Sequence, residues 1–286
     1  MSDERRETSP LLGLTAGTID YVLETRLGLH GYFMSGQIRP VTHATRFVGR
    51  ARTLRTLPVR SDVVDAQRAG QVTNAHRQAM DEIGAGEVLV IDARGVLETA
   101  VCGDVLASRV EALGGAAIVT DGSVRDLPGL SRLNLPIFAA GVHAALFGNR
   151  HVGIDITLPV ACGGVLVMPG DILVGDEEGV VVVPAHLEQQ VADLAREQDA
   201  LDSFSLQKIR EGQLDIAISQ PVDLYVKYGL AYLEAAVEGQ TFKAGPTDHD
   251  SHIVEYKGNL MDLLPSPLVT KANTDDPKLW GNQVKG

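Results

Sequence analysis

Residues 93–126 read ARGVLETAVCGDVLASRVEALGGAAIVTDGSVRD, and this stretch decides the fold. The apolar run Val88–Ile91 just before it ends at Asp92, the pattern of a strand buried on both faces. Within the stretch, the glycine-acid turn Gly103-Asp104 leads into a helical spacing of Val105, Leu106, Val110 and Leu113. Asp104 is expected at the N-cap of that helix, and Gly114-Gly115 stops it. Ala116–Thr120 is the next strand, followed by a loop from Asp121 to Arg125-Asp126. Strand, helix and strand with short links imply parallel pairing and a right-handed crossover. Two turns from the carboxyl ends of successive strands then bring Gly103-Asp104 and Arg125-Asp126 together, beside a helix N-terminus.

Upstream, residues 1–12 read as polar and residues 1–14 are expected to form a flexible N-terminus, with Thr15 or Thr18 capping a helix through Ile19, Val22, Leu23 and Leu27. Phe47–Leu57 is expected as a strand and Ser61–Asp81 as one polar helix. Downstream come a short helical turn at Leu130–Leu133 and a strand at Pro136–Ala139. The apolar runs Val165–Met168, Ile172–Val174 and Val180–Val183 follow, the last two joined by a hairpin loop. From Pro184 a long helix runs to about Glu211 with Leu187, Val191, Leu194 and Leu201 on one stripe. The sum is an α/β sandwich with a mixed sheet and helices on its outer faces. No G-x-G-x-x-G follows a strand, which argues against a doubly wound dinucleotide fold.

A shift in composition after Gln213 separates a domain at residues 15–212 from an extension at 213–286. The extension is rich in tyrosine and proline, with a helix expected at Val222–Val237 and irregular chain at Gly258–Gly286.

The formal charge of -12 argues against a nucleic-acid groove, which needs clustered Lys and Arg. The two cysteines, Cys102 and Cys162, form no C-x-x-C pair, and Cys102 reads as a small buried residue rather than a nucleophile. The N-terminus lacks a secretory apolar core, and no run approaches the roughly 18 apolar residues of a membrane helix, so a soluble cytoplasmic protein is expected.

The chemistry suggested by Gly103, Asp104, Arg125 and Asp126 is that of a divalent metal and a small oxo-acid. Asp126 is the expected ligand of a hard cation, Mg²⁺ or Mn²⁺, which prefers oxygen donors and retains waters. The free N–H groups of Val105 and Leu106 would receive a substrate carboxylate, and Arg125 would stabilise charge developing on the keto oxygen. Asp104 is the candidate proton handler. Cleavage of a C3–C4 bond under such polarisation is class II aldolase or oxo-acid decarboxylase chemistry. Each piece also has a plainer reading: Asp104 as a simple cap, Arg125-Asp126 as a solvated turn, Asp92 and Asp121 as turn formers, Asp176-Glu177-Glu178 as a charged hairpin. His43, His76, His143, His151 and His186 follow no metal motif and read as structural or exposed.

The runs GEVLVIDARG, CGDVLASRVEALGGAAIVTDGSVRD, LPIFAAG and CGGVLVMPGDILVGDEEGVVVVPAHL closely resemble the RraA-like proteins over roughly residues 15–212. That family includes divalent-metal-dependent 4-hydroxy-4-methyl-2-oxoglutarate aldolases, oxaloacetate decarboxylases and regulators of ribonuclease E. The resemblance implies a swivelling β/β/α sandwich, a homotrimer or hexamer with the site between subunits, and a divalent metal on Asp126. It implies Arg125 and Gly103-Asp104 as substrate and proton-handling groups, and a glutamate from a neighbour's C-terminal helix, here matched by Glu197, acting through water. One departure stands out: Gly129 occupies a position where the family usually has an acid. A non-enzymatic ribonuclease regulator is the competing reading, and the retention of Asp104, Arg125 and Asp126 together favours the enzyme. The extension resembles the C-terminal end of periplasmic sugar-binding proteins, which suggests a fusion remnant that wraps a lobe or a neighbouring subunit or is partly disordered.

Overall fold

In the computed structural model, which describes residues 9–211, 216–218, 222–249, 251–256, 259–264 and 268–270, the chain divides into two units, residues 1–201 and 202–286. The first begins with α1 (Ala16–Tyr21), capped by the Thr15 hydroxyl, which accepts the N–H of Thr18; a single π-turn at Val22–Arg26 continues it. Then come β1 (Arg39–Pro40), β2 (Phe47–Pro58), α2 (Ser61–Arg68) and α3 (Ala75–Asp81). The single helix expected at 61–81 is therefore two. Gly70 turns left-handed at φ +71°, and Asn74 restarts the chain by accepting the N–H of Arg77. Packing explains the division: α2 buries no side chain, whereas α3 buries Ala75, His76, Ala79 and Met80.

The central stretch supplies β3 (Glu87–Asp92), β4 (Ala100–Cys102), α4 (Asp104–Ala112), β5 (Ala117–Val124), α5 (Leu127–Leu130) and β6 (Ile137–Val142). Two expectations shift here. Residues 121–124, read as loop, complete β5, and the helical turn placed at Leu130–Leu133 is α5, which begins three residues earlier because Pro128 suits a first turn. After them come β7 (His151–Ile156), β8 (Val160–Cys162), β9 (Val165–Val167), β10 (Ile172–Asp176), β11 (Gly179–Val183) and α6 (Glu188–Arg210).

The main sheet runs β1-β6-β5-β3-β2-β10-β11, with β4 against β5 and β7 against β2. Its centre is parallel (β2-β3, β3-β5, β5-β6), and its β10 and β11 end is antiparallel, the mixed sheet that the apolar runs implied. The runs Ile172–Val174 and Val180–Val183, like β3, are apolar at every position because both faces are covered, whereas in Val165–Met168 the side chains of Leu166 and Met168 stay exposed. In β3, Leu89 and Ile91 join a core with α3, α4 and α5, while Val88 and Val90 join one with β8 and β9 on the other face. In β11, Val180 and Val182 share the second core, and Val181 and Val183 pack with Ile19, Val22, Val191 and Ala195 of the N-terminal and long helices. Burying each such side chain contributes about 1.5–3 kcal/mol, so the sheet is fixed by its two-sided packing. Asp176 ties the β10-β11 hairpin to the N-terminus: its carboxylate accepts the N–H of Ala16 at 2.8 Å and of Glu178 at 2.9 Å. The acidic trio at 176–178 is thus a hairpin turn, as read from sequence. Among the described residues no helix is long and apolar enough to cross a membrane.

The second unit contains β12 (Ile216–Ile218), α7 (Val222–Val237), β13 (Gly245–Pro246), β14 (His252–Tyr256), β15 (Asn259–Leu263) and β16 (Leu268–Thr270). The region expected to be irregular from Gly258 thus holds strands as far as Thr270, because β15 finds a partner in β14 and β16 in β12; residues 271–286 lie outside the described ones. Asp262 organises this unit, accepting hydrogen bonds from Ser251 Oγ, from His249 Nε2 at 2.9 Å and from Tyr232 Oη at 2.8 Å. The other imidazole nitrogen meets Asp248 Oδ1 at 2.8 Å, and the ring stacks on Tyr228 with centroids 3.7 Å apart. With a carboxylate at each nitrogen the charged ring is favoured, so the hydrogen bond to Asp262, followed by that to Asp248, raises the His249 pKa above its ordinary value. A raised folded-state pKa stabilises fully below the unfolded value and is lost as pH rises through the folded one. Unfolding of the second unit, followed by tyrosine fluorescence, is therefore expected to become easier as pH rises above the ordinary histidine range, a dependence that His249→Gln removes.

Candidate active site

The site grows from the pairing of β4 with β5. These strands are parallel, with Ala100 opposite Ser123 and Cys102 opposite Val124, and the N–H of Arg125 donates to the Cys102 carbonyl at 3.0 Å. Both chains leave the sheet at the same level, so Gly103-Asp104 lies directly beside Arg125-Asp126. Six residues singled out from the sequence, Gly103, Asp104, Val105, Leu106, Arg125 and Asp126, line one cleft of about 290 Å³.

Gly103 is the N-cap of α4, which puts Asp104 at the first helical position, one residue further in than expected. The reason is contact, not helix propensity. A methyl group on Gly103 would lie 2.5 Å from Asp126 Oδ2 and 3.1 Å from Arg125 Nε, and at φ -127° the backbone makes no demand for glycine. A side chain at 103 would displace the Asp126 carboxylate and the Arg125 side chain from where they stand. Because the cap has no side chain, the N–H groups of Val105 and Leu106 receive no capping bond from it.

Asp126 is held in a left-handed conformation, φ 60° and ψ 43°, which costs an aspartate about 1–2 kcal/mol. It stands at the N-cap of α5 yet makes no capping hydrogen bond, so its carboxylate is not consumed by the helix that positions it. Arg125 Nε lies 3.3 Å from Asp126 Oδ2 with both side chains a little over a third exposed, a pair worth about 0–1 kcal/mol in such surroundings. Backbone strain of that size is not repaid by that ion pair, and such strain gathers where function needs it. The Asp104 carboxylate accepts no hydrogen bond among the described residues.

The cleft has a wall that sequence reading did not find. His76 reaches it from α3, and its ring lies on the Phe147 ring with centroids 3.9 Å apart and planes within 16°. His76 Nε2 is 2.7 Å from the Val101 carbonyl, which only accepts, so Nε2 carries the proton. Burial lowers the pKa of His76 despite that hydrogen bond, leaving it neutral. His76, expected from the sequence to be structural or exposed, is buried and hydrogen-bonded, and it also forms one side of the cavity. Nothing in the spacing of residues 76, 101 and 147 could have revealed this, since three separate elements supply them. His151 lies behind, its pKa pushed down to about 4 by burial and the nearby Arg94 guanidinium.

Cys102 also borders the cleft, but its thiol is buried and burial pushes it up to about 12, which disfavours the thiolate and agrees with a small buried residue. Asp92 and Asp121 are turn formers, as read: Asp92 accepts the N–H of Arg94, and Asp121 those of Ala93 and Gly95. Glu197 does not line the cleft of its own chain; on α6 its Oε2 lies 3.2 Å from Arg26 Nη2.

The family profile described as RraA-like, Aldolase/RraA, matches residues 15–182. A protein of Halalkalibacterium halodurans named "Putative 4-hydroxy-4-methyl-2-oxoglutarate aldolase" is 34% identical over 183 residues, covering 64% of this chain and 81% of its own length. Among solved structures, Streptomyces coelicolor RraAS2, described as an unusual member of the RNase ES inhibitor RraA protein family, superposes with a TM-score of 0.62 at 32% identity, covering 70% of this chain and 96% of its own. A protein from Pseudomonas syringae pv. tomato, described as uncharacterized, gives a TM-score of 0.61 at 26% identity over 71% of this chain and 91% of its own.

Gly103→Ala is expected to cost about 1 kcal/mol of stability, alanine being the poorer N-cap, while displacing the Asp126 carboxylate. Since roughly an ångström of misplacement lowers turnover about 10²-fold, the loss in rate should far exceed the loss in stability when both are measured.

Proposed function

The chain belongs to the RraA-like family, and from that premise we propose that it is a divalent-metal-dependent carbon–carbon lyase. It cleaves a 4-hydroxy-2-oxo acid to pyruvate and a carbonyl compound, or releases CO₂ from oxaloacetate. The observation that carries this reading is the convergence, in one cleft, of an unspent carboxylate, a guanidinium and the start of a nine-residue helix.

A divalent cation suits these residues. Among the described residues no cluster of three or more His, Cys, Asp or Glu forms a cage, which speaks against a fully protein-ligated metal such as structural zinc. One strained, uncapped carboxylate with a second acid beside it suits Mg²⁺ or Mn²⁺, which take few protein oxygens and keep waters. Asp126 would hold the ion and Asp104 would act on its waters. Bound there, the ion supplies Lewis acidity toward the 2-oxo group.

The chain's own groups do the rest. The N–H groups of Val105 and Leu106 face the substrate carboxylate at the positive end of α4. Arg125 donates to the oxygen on C2, where negative charge grows as the C3–C4 bond breaks. In the aldol cleavage, Asp104 takes the C4 hydroxyl proton directly or through water, C4 becomes a carbonyl, and the bonding pair passes into the enolate of pyruvate. Protonation at C3 then gives pyruvate. With oxaloacetate the departing group is CO₂ and the same enolate is protonated. His76, neutral and stacked on Phe147, adds no charge to the wall opposite Arg125.

Two exposed apolar side chains, Val105 and Leu146, line the cleft. They support a homotrimer or hexamer in which a neighbour covers the opening and contributes Glu197 through water. A cytoplasmic location belongs to the same reading. The RraAS2 likeness keeps ribonuclease inhibition as the alternative, and co-purification with a ribonuclease in the absence of metal binding would favour it.

With Mg²⁺ or Mn²⁺, purified protein is expected to release pyruvate from 4-hydroxy-2-oxo acids or oxaloacetate, read by coupling to lactate dehydrogenase. Asp126→Ala and Arg125→Ala should each lower kcat/KM by about 10² or more. Undiminished activity in Asp126→Ala would contradict the assignment.

A further inference from the structure

Asp104 leans against α5 at a place where no side chain can stand. A methyl group on Gly129 would lie 2.2 Å from Asp104 Oδ2, 2.5 Å from its Cβ and 2.7 Å from its Cγ. All three nearest atoms belong to Asp104, and the Cβ is anchored to the backbone of α4, so a rotation of the carboxylate alone does not relieve the overlap.

The backbone does not call for glycine here. Gly129 lies inside α5 with no left-handed φ, and its N–H donates to the Asp126 carbonyl at 2.8 Å. At a helical position alanine is intrinsically preferred. Room for Asp104 is what the missing side chain provides.

We infer that Gly129 is a positioning residue for Asp104, and that residues 104 and 129 form one size-coupled unit. The inference rests on the role proposed above for Asp104. Asp126 opens α5 and Gly129 lies three residues on, so one helical turn sets the place of both carboxylates. Asp126 is aimed by its left-handed cap, and Asp104 is admitted by the gap at 129. The same geometry accounts for glycine where the family resemblance expects an acid: with Asp104 seated as it is, a side chain at 129 has no space.

Four proteins test this: wild type, Gly129→Ala, Asp104→Gly and the double variant. Pyruvate release, Mn²⁺ affinity by calorimetry and thermal unfolding are measured on each. Gly129→Ala should lower kcat by about 30-fold or more, with KM and Mn²⁺ affinity within about threefold, because substrate and cation are held by other groups. It should also lower Tm in the wild type. In the Asp104→Gly background, where all three crowding atoms are gone, it should leave Tm unchanged or raise it. A kcat within twofold of wild type, or an equal fall in Tm in both backgrounds, would overturn the inference. Wild type that releases no pyruvate would defeat the lyase reading instead, and the Tm comparison would still decide whether residues 104 and 129 are coupled.

Discussion

The hydrogen bond from the Arg125 N–H to the Cys102 carbonyl marks the constraint on which the site depends. It is one rung of a parallel ladder between β4 and β5, and it sets two turns side by side that are more than twenty residues apart in sequence. Each turn then carries its own charged side chains into the cleft. A slip of one residue would turn alternate side chains to the opposite face and separate the acids from the guanidinium. The packing of β5 on both faces makes such a slip expensive, because Ile118 and Val124 belong to one core and Ala117 and Val119 to the other.

Around that rung the chain departs from the rules that govern ordinary elements. The N-cap of α4 is a glycine without a capping group, and the N-cap of α5 is an aspartate in a left-handed conformation that caps nothing. A further glycine sits inside a helix where alanine would be preferred. Each departure leaves a polar group uncommitted or admits one into the cleft. Local rules broken together, in one place and without compensation in stability, are the mark of a working site.

Much of this was legible in the sequence, for reasons particular to each element. The all-apolar β3 and β11 announced two-sided burial, and the glycine-acid and Arg-Asp turns announced themselves by lying at the ends of such strands. Other elements left no signal. Ala100–Cys102 is too short for any periodicity to show, and β7 carries Gly153, where a methyl group would lie 2.6 Å from the backbone nitrogen of His76. That close approach is also what admits α3 and puts His76 in the cavity wall, so the undetected strand and the undetected wall share one cause. In the second unit, the Asp262 hub draws together residues 232, 249 and 251, whose spacing follows no motif.

The central claim is that cation and oxo-acid share one cleft, each improving the hold on the other. Titration of the whole protein with Mn²⁺, with and without oxalate as a planar mimic of the pyruvate enolate, tests this most directly. One Mn²⁺ per chain whose affinity rises when oxalate is present, with oxalate affinity rising equally when Mn²⁺ is present, is the predicted result. Mn²⁺ binding indifferent to oxalate would contradict it.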